Sequence, residues 1–305
     1  MTQIRRIKKV SKSKPTLEGA GVRLRRAFGF GDTKMFDPFL LLDDFRGDDP
    51  SFYIAGFPWH PHRGIETITY VQRGKVDHGD SLGNQGTIGA GDVQWMTAGN
   101  GIIHQEMPHG DAQGKMYGFQ LWANLPRTHK MMDPRYRDIS SHTIPEVTLA
   151  NGVKIRVICG KVGNIQGPVR DVMIDPEYLD VSVPPNSEFI HPTPAGHTVF
   201  AYIFKGQGIF CDQKDPFSYE KEGSSYFDQD CNQFLGNTSL VVFTDGDQVK
   251  VTTEKEAVRF LLISGRPINE PVAWYGPIVM NTEEELRVAF EEYRNGTFIK
   301  HKKIT

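Results

Sequence analysis

Short apolar runs punctuated by glycine and proline dominate the chain, and their lengths suit strands more than helices. Residues 65–71 (Ile-Glu-Thr-Ile-Thr-Tyr-Val) are rich in β-branched and aromatic side chains and predict one strand. Residues 80–86 and 89–92 carry the Gly, Asn and Asp of tight turns, so hairpins are expected on both sides. Residues 125–134 are polar, bracketed by Pro126 and Pro134, and follow neither period, which marks them as a domain linker. Strand-like runs resume at 153–159, 199–204 and 240–243. Residues 67–76 resemble residues 199–208, and 89–93 have a looser echo in 243–249, so the pattern predicts a duplicated all-β barrel. The expected domains are 1–132 and 133–305. One helix is expected near the end: Thr282 and Glu285 have capping-box spacing, and Leu286, Ala289, Phe290 and Tyr293 mark one face before Asn295-Gly296 stops it.

Composition narrows the class without naming a function. With 305 residues, 38% hydrophobic and 24% charged, the chain reads as a soluble globular protein large enough for two cores. A net charge of -2 excludes a general nucleic-acid coat, leaving nucleic acid as an indirect partner only. Arg5, Arg6, Lys8, Lys9, Lys12 and Lys14 crowd the start and read as a solvated first strand and its flank. Cys159, Cys211 and Cys231 are too few and scattered for a disulfide framework and are expected as buried free thiols. No run approaches the roughly 20 apolar residues of a membrane span, and no apolar stretch follows the basic start as in a secretory signal. A cytoplasmic protein is the expectation.

Candidate chemistry sits in the first half. His60-Pro61-His62 and His104-Gln105-Glu106 are two i, i+2 pairs, and residues two apart on a strand point the same way. Lining one barrel, they would bring three imidazoles and a carboxylate together, a set that suits Fe(II), Mn(II), Ni(II) or Zn(II). Gln105 should face the other way. Trp95, Met96 and Met107 read as core, while Phe119 and Trp122 are candidates for a pocket mouth. His191 and His197 lie six apart in the second half, with no counterpart to His104, so that half is expected to lack the metal.

Residues 57–70, 80–84 and 91–108 resemble the cupin motifs as the pirin family writes them, and 276–282 with 293–296 are similar to the pirin C-terminal segment. The resemblance spans nearly the whole chain. It implies a bicupin: two jelly-roll β-barrel domains face to face, with a short C-terminal helix. It also implies one Fe(II) per chain, held in the first barrel only by His60, His62, His104 and Glu106. Many cupins instead use the glutamate of the first motif, here Glu66, which is expected just outside the ligands, orienting a histidine or a water. The implied activity is that of quercetin 2,3-dioxygenase, with a flavonol and dioxygen as substrates; Glu106, where it can leave the metal, is the natural general base. The alternative is an iron- and redox-dependent regulatory cofactor docking a transcription factor or metabolic enzyme through Arg23, Arg25, Arg26 and the basic start. By the same analogy the protein acts as a monomer.

Overall fold

The computed structural model describes residues 2–213, 215, 218–223 and 233–300. Cys231 lies outside them. The chain forms two compact units, one of residues 14–141 and 268–305, the other of residues 1–13 and 142–267.

In the first unit, a seven-stranded sheet runs in the order Arg135–Ile139, Val93–Thr97, Ile65–Arg73, Tyr117–Asn124, Phe39–Asp44, Val22–Phe28 and Lys14–Glu18. A second sheet of four strands orders Phe57–His62, Ile102–His109, Lys75–Asp80 and Gln85–Ile88. The expected strand at 65–71 is the middle of Ile65–Arg73, and the turn at 80–86 joins Lys75–Asp80 to Gln85–Ile88 as an antiparallel hairpin. Buried Leu40, Ile65, Met96 and Ile102 form one cluster of this unit's core, and Val22, Leu24, Phe45, Val71 and Val76 another.

The second unit repeats the arrangement. Thr198–Gly208 lies between Val258–Gly265 and Ser239–Phe243, as Ile65–Arg73 lies between Tyr117–Asn124 and Val93–Thr97. The pairing of strands thus bears out the duplication that residues 67–76 and 199–208 suggested. A large apolar cluster, including Leu179, Val181, Phe189, Ala201, Phe260 and Leu262, fills this barrel. Cys159 and Cys211 are buried free thiols.

The division of the chain differs from a single cut at 132/133. Residues 125–134 are not a linker: Lys130 is 1% exposed, and its ammonium donates to Gly64 O (2.9 Å), Asn124 Oδ1 (2.7 Å) and Val279 O (3.1 Å). The strand that follows, Arg135–Ile139, pairs with Val93–Thr97 and closes the first sheet. Both termini also cross over. Ile7–Lys12 pairs with Ser239–Phe243 in the second unit, while residues 268–300 belong to the first.

The helix Glu283–Arg294 is built as its sequence predicts. Thr282 Oγ1 accepts the Glu285 amide, Glu285 Oε2 accepts the Thr282 amide, and three glutamates occupy the first turn. Leu286 and Ala289 pack inward with Ile278, Met280 and Phe298, whereas Tyr293 is partly exposed and meets the Phe298 ring edge-on. Among the described residues, no helix is long and apolar enough to cross a membrane.

Candidate metal centre and its cavity

The two i, i+2 pairs lie on neighbouring antiparallel strands, with His104 directly opposite His60 and Ile102 opposite His62. The strand Ile102–His109 alternates strictly, burying Ile102, His104 and Glu106 and turning Ile103, Gln105 and Met107 outward. A bulge separates the His104 and Glu106 pairings, so Glu106 stands opposite Phe57.

His60, His62 and His104 converge, each offering a ring nitrogen within 4.8 Å of the others. His60 Nδ1 lies 2.8 Å from the Pro58 carbonyl and His62 Nδ1 lies 3.0 Å from the Pro277 carbonyl. A carbonyl only accepts, so both rings carry their proton on Nδ1 and turn an Nε2 lone pair inward. Those two Nε2 atoms stand 3.0 Å apart, and His104 Nε2 is 3.0 Å from His60 Nε2. Lone pairs facing at that distance repel one another, whereas a cation shared among them satisfies all. Burial, and then the charge on His60, hold the His62 imidazolium well below its ordinary range. Burial, His62, His60 and His78 do the same to His104. Neutral imidazole is the ligating form.

Glu106 is buried on the wall of the same cavity, though its carboxylate lies outside the three-imidazole group. Its Oε1 accepts the Thr69 hydroxyl at 3.0 Å. Glu66 is elsewhere: Trp95 Nε1 (3.1 Å) and Thr97 Oγ1 (2.6 Å) donate to its carboxylate, and among the described residues it bonds no histidine. Gly64, at φ +78°, interrupts the alternation after His62, so the facing of Glu66 does not follow from the histidines.

A cavity of about 540 Å³ opens beside His60, His62 and Glu106, within the size range of small-molecule sites. Its walls are Phe30, Phe57, Leu41, Trp122 and Trp274, and Trp122 meets His62 edge-on at 5.0 Å. Trp122 therefore shapes the cavity, while Phe119 is buried on the other face of its strand. Trp95 and Met96 are buried as expected of core, Trp95 with its indole on Glu66, whereas Met107 is only partly buried. The cavity also has a polar end that sequence reasoning missed. Arg26 grips Asp43 with two hydrogen bonds (2.8 and 2.7 Å) and reaches Glu18 at 2.8 Å, while Gln120 stands opposite Asp43 on the adjacent strand. Burial pushes the Asp43 carboxyl up to about 6, against the pull of Arg26. Pro277 was missed as well, because 276–282 read only as a family segment, and Trp274, just before it, drew no reading at all.

A jelly-roll barrel with histidines converging at one end, joined to a second barrel without such a group among its described residues, defines a two-domain cupin. The family models "Pirin" and "Pirin C-terminal cupin domain" match residues 21–123 and 178–299. A pirin-like protein of Caulobacter vibrioides is 41% identical, covering 97% of this chain and 99% of its own. Pirin of Rattus norvegicus is 37% identical, covering 93% and 90%. A solved quercetin 2,3-dioxygenase from Acinetobacter baumannii is 28% identical and superposes with a TM-score of 0.83, covering 97% and 99%. The chain belongs to the pirin family.

Proposed function

We propose that this pirin is a quercetin 2,3-dioxygenase-type enzyme of the cytoplasm, its first unit holding one Fe(II) through His60, His62, His104 and Glu106. The observation that carries the reading is the inward-facing lone pairs of two Nδ1-protonated histidines at the mouth of an aromatic-walled cavity. The structural likeness to the Acinetobacter baumannii enzyme supports the substrate class. Three histidines and a carboxylate are a donor set that leaves positions open for non-haem iron chemistry. A ferrous ion held there would supply Lewis acidity toward the flavonol oxygens, the flavonol itself giving the electrons that dioxygen takes as the heterocycle opens and carbon monoxide leaves.

The chain's own residues do the rest. Trp122, Trp274, Phe30 and Phe57 flank a flat aromatic body and exclude water from it. Glu106 Oε1 is engaged by Thr69, so Oε2 is the oxygen that would serve the metal and, released from it, would take the proton of the flavonol hydroxyl. The anion so formed is the electron-rich species that dioxygen attacks. Oxygen uptake by the Fe(II)-loaded protein with quercetin tests the proposal. Wild type should consume oxygen and bleach quercetin, and Glu106→Gln should lose about 100-fold or more in rate, the scale of a general base. Iron-loaded wild type that does neither would overturn it.

The regulatory alternative draws less support, because part of the basic surface it needs is committed within the fold, although Arg6, Lys8, Lys12, Lys14 and Arg23 are exposed. Arg5 is buried, Lys9 pairs with Glu220 and Glu222, and Arg26 holds Asp43.

A further inference from the structure

In the second unit, strand alternation carries the apolar barrel lining into a polar end. Leu179, Val181 and Val183, together with Val258, Phe260 and Leu262, face the core of that barrel. Continuing the same faces, Glu177 and Ser264 point the same way and stand directly opposite each other in the ladder. His191 follows Phe189 by two on the strand Glu188–Pro192, so it shares that face. Its ring lies parallel to Phe189 (5.8 Å, 5°), and its Nε2 is 2.9 Å from Glu177 Oε2. A cavity of about 430 Å³ opens over this end, with Glu177, Ser264, Thr193, Asp175 and Lys161 among its lining. The ring of Pro192 and its neighbour Pro194 add apolar wall.

Two features distinguish this cavity from a surface dent. The Ser264 hydroxyl, on the cavity lining, is fully buried and has no hydrogen-bond partner, so a ligand donor reaching it would relieve an unmet bond. The wall carrying Thr193 and Pro194 is clamped from behind by buried Arg5, whose guanidinium donates to Thr193 Oγ1 (2.7 Å), Pro194 O (2.7 Å) and Thr244 O (2.8 Å). The site is therefore held in shape before any ligand arrives.

We propose that this polar end binds a small organic ammonium, the cation resting on Glu177 and donating to Ser264 Oγ, with its alkyl part against the prolines. His191 occupies one oxygen of Glu177 and fixes the carboxylate, leaving the other for an N–H donor. The charged residues lining the cavity itself are two carboxylates, Glu177 and Asp175, and one ammonium, Lys161, while the Arg5 guanidinium is spent on Thr193, Pro194 and Thr244, so the Glu177 end favours a cation. No residue of this site belongs to the iron cavity, so the inference stands or falls apart from the dioxygenase reading.

The test uses the full-length protein titrated with n-butylammonium, n-butanol and butyrate, followed by amide chemical shifts around residues 175–177, 191–194 and 264. Butylammonium should bind at least 10-fold more tightly than butanol, and Glu177→Gln should remove that advantage. Ser264→Ala should weaken butylammonium severalfold while raising the unfolding midpoint of the free protein, because it deletes an unpartnered hydroxyl. Equal binding of butanol, preferential binding of butyrate, or a lower midpoint for Ser264→Ala would each overturn the proposal.

Discussion

His62 shows how much one side chain is asked to do. It is buried, its Nδ1 is committed to the Pro277 carbonyl, and its Nε2 faces His60. Truncation should therefore cost metal, not fold. His62→Ala or His104→Ala is expected to lose most of the bound metal in anaerobic metal analysis while keeping the β-sheet circular dichroism of wild type. Full occupancy in either variant would sink the ligand assignment. Gly64 is a second residue with no spare room. At φ +78° an added Cβ would lie 2.0 Å from Val279 O, so Gly64→Ala should lower stability by about 2–4 kcal/mol in urea unfolding. An unchanged midpoint would contradict that. At this scale the i, i+2 pairs were legible because alternation is a local rule. The Pro277 carbonyl was not, since no local rule couples residue 62 to residue 277.

Among the elements, the C-terminal helix was the easiest to read, because its capping signals are local and its apolar face is spaced by the helix itself. Thr282→Ala removes the acceptor for the Glu285 amide and should cost about 1 kcal/mol in thermal or urea unfolding. A change below a few tenths would mean that Glu285, which also accepts the Asn281 amide, holds the cap alone. The strand Arg135–Ile139 was missed for a physical reason. It sits at a sheet edge, where one ladder suffices and most of its side chains are only partly buried, so Arg-Tyr-Arg-Asp-Ile needs no apolar alternation. The preceding residues 125–134 look like a linker because Lys130 is polar by type, yet it is buried with three acceptors around its ammonium.

For the whole molecule, that buried lysine sets a pH dependence. Burial pulls the Lys130 ammonium down to about 7 from 10.5, the charges of Glu270 and Glu285 opposing only in part. Between those values the unfolded chain binds the proton and the folded one does not, so stability rises with pH in that window. Below pH 7 both states are protonated and the slope vanishes. Wild type should gain on Lys130→Met by up to about 1.4 kcal/mol per pH unit as pH climbs from 7 to 10. A constant difference would show that Lys130 keeps its proton in the fold. The two-barrel plan was legible in the repeated strand motif, but the exchange of chain ends was not, because strand pairing across such separations leaves no local mark.

That exchange has a consequence for how the protein is made. Residues 14–141 leave the ribosome early, yet the carbonyl that orients His62 belongs to Pro277, and the helix that covers Ile278 and Met280 follows it. The nascent first barrel must therefore wait, incomplete, while the whole second barrel is translated. Its candidate metal pocket is finished by residues that follow the whole second barrel, so loading with metal would wait until that barrel has been made.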